Sequence, residues 1–311
     1  MSKVLIIGAG GQLGSELCAA LAQKHGTANI LATDIRALER PYPTGVLDVM
    51  DSDALAEAVK SNGIEEIYHL AAVLSAKGEE VPQKAWDINM QSLINVLEVA
   101  RSFKTKIFWP SSIAVFGPDT PKLNTPQHTV LNPTTIYGIS KLAGERWCHY
   151  YHLKYGVDVR SIRYPGLIGY KGKPGGGTTD YAVDIFWKAI DNEPFECFLG
   201  EDSMLPMMYM DDAIAATIQL MDAAPENVKI RSSYNVAAMS FTPEDISKEI
   251  QKDFPNFHIT YKPDFRQEIA DSWPDSIDDK LAREHWGWRH AFDLQKMTSH
   301  ILENIRQPDS V

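Results

Sequence analysis

Tyr137-Gly-Ile-Ser-Lys141 sets a phenol and an ammonium four residues apart, the spacing that brings two side chains onto one face of a helix. Both groups ordinarily titrate near 10. A cation beside a phenol favours phenolate, so the pair can act as a base toward a substrate hydroxyl. Bringing Tyr137 from about 10 to about 7.5 takes about 3.4 kcal/mol, which Lys141 and a second positive charge in a dry site can supply. A motif this short also arises by chance, as a surface Tyr beside a solvated Lys. Its position favours chemistry: it follows a strand-like run ending in Ser111-Ser112. Ser112 can hold the reacting oxygen while Tyr137 removes its proton.

The second positive charge would be an oxidised nicotinamide, and the chain opens with residues suited to one. Val4-Leu5-Ile6-Ile7 reads as a buried strand, and Gly8-Ala9-Gly10-Gly11-Gln12-Leu13-Gly14 follows it directly. Such glycines permit a tight turn and let the backbone approach a pyrophosphate. The helix that opens there offers free N–H groups and the positive end of its dipole. The glycines fall at 8, 11 and 14, a GxxGxxG rather than a GxGxxG spacing, and a Gly-rich turn alone is weak evidence. Asp34, twenty residues past Gly14 at the end of the second strand-like run, strengthens it. A carboxylate there accepts from the ribose hydroxyls and repels a 2′-phosphate, which favours NAD over NADP. Arg36 points the other way, since a cation can accommodate NADP; it also reads as a solvated loop charge or a stack on the adenine edge.

These groups need a scaffold. Strands are expected at 3–8, 29–34, 66–71, 106–112, 158–164 and 233–237, and helices at 12–24, 52–62, 83–103, 134–155, 179–191 and 210–223. Short β-branched runs alternating with longer amphipathic stretches specify an α/β fold, a doubly wound parallel sheet of Rossmann type. Residues 1–165 read as the dinucleotide-binding core. Residues 166–311 read as a smaller substrate-binding lobe, with elements near 205–238 returning to the core. Gly166–Gly177 reads as a long loop over an active site. Residues 242–289, with Pro243, Pro255, Pro263 and Pro274, belong to the lobe, and 307–311 to a frayed tail.

Composition excludes several functions. A formal net charge of −11 over 311 residues argues against nucleic acid and anionic membrane surfaces. No apolar run approaches the roughly 20 residues of a spanning helix, and no targeting segment is expected ahead of the first strand. Three cysteines, Cys18, Cys148 and Cys197, give no paired framework, and a reducing cytoplasm is the expectation. Cys148-His149-Tyr-Tyr-His152 is the only dense Cys/His patch; lacking CxxC or a carboxylate at ligand spacing, it reads as outer-face residues of a helix. Cys18 and Cys197 read as core or lobe residues. No metal is expected.

Gly8–Gly14, Leu70-Ala71-Ala72, Asn89, the segment from Ser111-Ser112 to Gly117, Tyr137–Lys141 and Arg163-Tyr164-Pro165-Gly166 together resemble the extended short-chain dehydrogenase/reductase family over about two thirds of the chain. The resemblance implies that Asp48 and Val49 lie along the adenine, Leu70 and Ala71 along the cofactor, and Leu167 near the nicotinamide amide through its backbone. It implies further that Lys141 also binds the nicotinamide ribose and that Asn89 supports the central helix. Within that family, Gly175–Phe186, the segment from Ala72 through Ser75 to Glu79, and Ala270-Asp-Ser-Trp273-Pro are similar to the zinc-independent L-threonine 3-dehydrogenases. That likeness implies NAD-dependent oxidation of a small amino-acid substrate by a homodimer. Ser75, Thr178 and Thr179 would donate to its carboxylate, Asp180 would pair with its ammonium, and Trp273 would close the pocket. Thr178, Thr179 and Asp180 are equally suited to capping a helix.

Two other readings keep the same residues. A nucleotide-sugar epimerase or dehydratase uses the same Tyr and Lys, and Lys171 and Lys173 are its best support as diphosphate ligands. A non-catalytic NAD-sensing regulator is the third reading, although this chain retains both Tyr137 and Lys141.

Overall fold

In the computed structural model, which describes residues 2–172 and 176–305, the chain runs through twelve described strands and eleven described α-helices. The strands are β1 (Val4–Ile7), β2 (Ile30–Asp34), β3 (Thr44–Val46), β4 (Glu66–His69), β5 (Lys106–Ser112), β6 (Val159–Tyr164), β7 (Gly166–Ile168), β8 (Phe195–Cys197), β9 (Leu205–Tyr209), β10 (Tyr234–Asn235), β11 (Met239–Phe241) and β12 (Ile259–Tyr261). The helices are α1 (Gln12–His25), α2 (Ser52–Asn62), α3 (Ser75–Glu80), α4 (Pro82–Phe103), α5 (Ile136–Tyr155), α6 (Tyr181–Ile190), α7 (Met210–Asp222), α8 (Pro243–Gln251), α9 (Phe265–Asp271), α10 (Lys280–Trp286) and α11 (Leu294–Ile305). Seven strands form one sheet in the order β10-β6-β5-β4-β1-β2-β3, and every pairing in it is parallel.

The sheet buries both faces, which is why β1 is an unbroken apolar run. Val4 and Ile6 pack with Leu17, Cys18 and Leu21 of α1 and Leu220 of α7. Leu5 and Ile7 face the other way, toward Leu55 and Val59 of α2 and Leu93 and Val96 of α4. Strand order reverses between β1 and β4, so their carboxyl ends diverge into a crevice, the usual ligand position in such sheets.

Two small sheets, β11-β9-β7 and β12-β8, pack with α6, α8 and α11 around a separate apolar cluster. Here the structure corrects the expected loop over 166–177. Gly166–Ile168 is a strand, paired in parallel with Met207–Tyr209; the Gly- and Lys-rich residues that follow hide a short apolar run whose partner lies about forty residues on. Lys173 and Gly175 of that stretch, like 307–311, lie outside the described residues. A second departure concerns 280–288, assigned by composition to the lobe. Trp288 is fully buried with the β1 and α1 cluster, and its indole N–H donates to Asp279 Oδ2 at 3.0 Å.

Helix α5 is the element that matters most. Thr135 caps it by accepting from the Gly138 N–H at 3.1 Å, and Gly156, left-handed at φ 70°, ends it. Gly138 lets the first turn lie against the segment after β5: a Cβ there would sit 2.1 Å from the Ala114 carbonyl. Deeper along the helix, Glu145 and Arg163 of β6 form a fully buried bidentate pair with both bonds at 2.8 Å. Ser111 Oγ donates to the same carboxylate at 2.7 Å, and Arg163 Nη1 donates to Gln127 O and Asn235 Oδ1. A buried ion pair repays its desolvation only when its hydrogen-bonding capacity is filled in this way.

Candidate active site

The crevice is a cavity of about 620 Å³ at the carboxyl ends of the parallel strands. It is lined at one end by Gly8, Gly11, Gln12, Leu13, Asp34, Asp48, Val49, Leu70 and Ala71, and at the other by Ser75, Ser112, Tyr137, Lys141, Leu167, Thr178, Thr179, Asp180 and Trp273. Arg36 is the one candidate the structure leaves outside the cavity lining. It is exposed, and its backbone N–H lies 3.4 Å from Asp34 Oδ1. Ile35 lines the cavity in its place. Apolar residues that no motif announces, Ile88 of α4 and Met210 of α7, complete the wall.

The residues at the first end fit a dinucleotide. Gly8 turns with φ +84°, and a Cβ on it would lie 2.7 Å from the Ala71 N–H nitrogen, so only glycine leaves the cradle open. Helix α1 begins at Gln12 with no side-chain cap, which leaves its first N–H groups available to an anion. Asp34 is held in place by the Gly10 N–H, donated to Oδ2 at 3.0 Å. Asp48 accepts the Met50 N–H at 2.9 Å, and Asn95 donates to Val49 O at 2.9 Å. Asn89 ties the chain after β4 to α4 and α5: it accepts from Val73 N at 2.8 Å and donates to Ser140 Oγ at 3.3 Å. That is the supporting role its place in the motif implies.

At the reacting end Ser112 and Tyr137 line the same part of the cavity, and Ser112 Oγ accepts from Ala114 N at 3.2 Å. Lys141 is only 3% exposed. Its ammonium donates to Pro110 O at 2.6 Å and lies 4.5 Å from the Trp109 ring centroid and 5.5 Å from that of Tyr137. Burial pushes the Tyr137 phenol up to about 12, with the Ser112 hydrogen bond pulling weakly the other way. Burial also brings Lys141 down to about 7, opposed by Cys148 and Glu145. Burial thus favours the neutral form of both groups, and it is against this that the Lys141 charge and the second positive charge expected from the sequence would have to act. Burial and Lys141 together depress His69, beneath the site, to about 3; its Nε2 lies 3.0 Å from Ser92 Oγ.

Thr178 is 1% exposed, and its hydroxyl has no hydrogen-bond partner. Asp180 accepts the Gly176 and Gly177 N–H groups, both at 2.7 Å, and so shapes the turn. Helix α6 starts only at Tyr181, with no side-chain cap, so the capping role open to these three residues is not taken up. Lys171 lies 3.5 Å from Glu16.

The Cys148 patch also differs from expectation. Cys148 is fully buried on the inward side of α5, not on its outer face. Among the described residues no group of three or more His, Cys, Asp or Glu is placed to hold a metal ion. Cys18 and Cys197 are buried, and burial raises their thiols to about 12 and about 11.

This fold, with a glycine turn, a carboxylate at the end of the second strand and a Ser–Tyr–Lys cluster in one crevice, defines an NAD-linked oxidoreductase of the short-chain dehydrogenase type. Residues 4–237 match the model of the NAD dependent epimerase/dehydratase family, and the chain belongs to that family; its cofactor is NAD. An uncharacterized epimerase/dehydratase of Staphylococcus aureus is 48% identical over 100% of this chain and 99% of its own length. The holo form of a GalE-like L-threonine dehydrogenase from Cupriavidus necator superposes with a TM-score of 0.96 at 55% identity, covering 97% of this chain and 99% of that one. A monomeric L-threonine 3-dehydrogenase from a metagenome superposes at 0.95 with 48% identity, covering 97% and 98%.

The depressed Lys141 has a consequence for stability. Between about 7 and its ordinary value near 10.5, the unfolded chain binds a proton there that the folded chain does not. Stability contributed by this site therefore rises with pH across that window and is lowest below it. Lys141→Met is expected to be more stable than wild type by about 1–3 kcal/mol at pH 6, with the gap closing toward pH 10. Denaturant unfolding at a series of pH values measures it, and a gap independent of pH would contradict the burial of a charged Lys141.

Proposed function

We propose that this enzyme oxidises the 3-hydroxyl of L-threonine to 2-amino-3-oxobutanoate. The observation that carries the reading is the buried, unpartnered Thr178 hydroxyl, which shares a cavity with Tyr137 and Ser112. An unsatisfied donor in a dry wall is costly unless a ligand fills it, and a substrate carboxylate is such a ligand. Thr179 and Ser75 line the same cavity and add two further hydroxyls. The Asp180 turn holds Thr178 and Thr179 in position, and its carboxylate lends negative charge for a substrate ammonium. Similarity to two L-threonine dehydrogenases over nearly the whole chain supports the same assignment.

NAD, when bound, supplies the hydride acceptor and a positive ring. Ser112 holds the substrate oxygen, and Tyr137 accepts its proton as the hydride leaves the same carbon, so both electrons of the C–H bond depart and a C=O forms. Lys141, lowered by burial against the opposing pull of Cys148 and Glu145, favours the phenolate when it carries its proton. Its bond to Pro110 O keeps the end of β5, and with it Ser112, in register with α5.

The nucleotide-sugar reading loses one of its two lysines to the ion pair of Lys171 with Glu16, and Lys173 lies outside the described residues. The regulator reading gives no use for an intact Ser112–Tyr137–Lys141 cluster.

We also infer that the enzyme is a homodimer. Trp147, Tyr150, Leu153 and Tyr155 of α5 and Phe103 of α4 are exposed apolar side chains, with Tyr150 in ring contact with Trp147 and Tyr155, and grouped exposed apolar surface of this kind marks a protein contact. Sedimentation velocity at micromolar concentration is expected to show twice the chain mass; a single chain mass, as in the monomeric relative, would contradict it.

Purified enzyme with NAD⁺ and L-threonine is expected to produce NADH at a rate that EDTA leaves intact. Tyr137→Phe is expected to lose about 10²–10⁴-fold of that rate while still binding NAD. No NADH from L-threonine, with conversion of a UDP-sugar instead, would replace the threonine reading by its rival.

A further inference from the structure

Lys122 sits in the excursion between β5 and α5, 151 residues before Trp273, yet it holds the chain on both sides of that residue. Its ammonium donates to the carbonyl of Asp271, the last residue of α9, and to Trp273 O at 2.6 Å. Its own carbonyl accepts the N–H groups of Asp275 at 2.9 Å and Ser276 at 3.2 Å. Trp273 therefore lies in a chain segment wrapped around a single residue, with Pro274 adding a fixed φ. A cation at this point also answers the unpaired carbonyls that end α9.

The grip continues as a short ladder. Asn124 N donates to Ser276 Oγ at 2.9 Å, Thr125 N to Ser276 O at 2.9 Å and Asp278 N to Thr125 O at 3.0 Å, while Thr125 and Ile277 form a parallel bridge. The ladder is anchored in the core. Gln127 donates to Ser233 O at 2.8 Å and accepts from Asn235 N at 2.7 Å. Asn235 Nδ2 reaches Thr125 O at 3.2 Å, and Arg163 binds both Gln127 and Asn235 while holding Glu145 of the catalytic helix. An unbroken polar chain thus runs from α5 to the wall of the substrate end of the cavity.

We propose that Lys122 is a positioning residue that fixes Trp273 as the wall against which the small amino-acid substrate is measured. This rests on the threonine reading of the site. A substrate of a few carbons presents little surface, and discrimination then depends on where an apolar wall stands to within about 1 Å. Trp273 is 5% exposed and follows a short helix of the smaller unit, so without a tie to the core its place would follow any movement of that unit. The dinucleotide end of the cavity is built from β1, β2 and β4 and does not depend on Lys122. A general loosening of the fold would weaken both ends; loss of the grip weakens one.

The test is Lys122→Met, which keeps the stem and removes the ammonium, beside wild type and Lys122→Arg, whose guanidinium can span the same two carbonyls. The expected result is a KM for L-threonine raised about tenfold, kcat within about twofold, an unchanged Kd for NAD by fluorescence titration, and recovery of KM in the Arg variant. An unchanged KM, or a rise matched by loss of NAD affinity, would overturn the proposal. Amide hydrogen exchange of residues 271–278 in the ligand-free enzyme is expected to quicken about tenfold or more in Lys122→Met, and unchanged exchange would also overturn it. If Lys122→Met does not yield folded protein, Ser276→Ala decides in the same way, with KM expected to rise about twofold and an unchanged KM counting against the grip. Wild-type enzyme that fails to oxidise threonine would sink the substrate reading instead, and the exchange measurement would still judge the grip.

Discussion

A charge held out of water organises this molecule. Lys141 is buried against Trp109 and the Pro110 carbonyl, and it stays useful only because something beneath it supports its charged form. Glu145, one turn further along α5, contributes to that support, and Arg163 and Ser111 fill its oxygens. Arg163 in turn needs Gln127 and Asn235. Remove any member and the next becomes an unpaired buried polar group. Through this network β10, which carries Asn235, and the excursion before α5, which carries Gln127, are both tied to Arg163 of β6.

The same arrangement explains how one crevice serves two tasks. Its dinucleotide end is made by backbone: a glycine turn, an uncapped helix and carboxylates fixed by backbone N–H groups. Its reacting end is made by side chains from distant segments, Ser112, Tyr137 and Thr178 among them, brought together by the parallel sheet and the smaller unit. Backbone recognition tolerates few residues but needs only local sequence. Side-chain recognition requires the whole fold, which is why the longest polar connections lead toward that end.

This division sets what could be read beforehand. The turn from Gly8 to Gly14, Asp34 and the Tyr137–Lys141 pair were legible because each lies within one strand–helix step, where spacing fixes geometry. The central strands were legible because burial on both faces leaves apolar runs. Strand β7 was not, because two apolar residues between Gly166 and Gly169 carry no period and their partner is remote. Nor was the Lys122 grip on Trp273, since nothing local to residue 122 marks its partners at 271 and 273. The electrostatics of the cofactor-free site were not legible either: the spacing shows a lysine beside a phenol, while burial raises one group and lowers the other. Burial is a property of the assembled fold, and five residues do not contain it.

The central claim is that Tyr137 becomes a base only when a positive ring joins Lys141 in the dry crevice. Phenolate absorbance of wild type minus that of Tyr137→Phe, followed against pH with and without NAD⁺, tests it directly. Without NAD⁺ the Tyr137 phenol is expected to remain protonated well past its ordinary value, in line with about 12; with NAD⁺ it is expected to titrate at least about 2 pH units lower. A phenol that titrates at or below about 10 in the cofactor-free enzyme, or one that NAD⁺ leaves unmoved, would contradict the account.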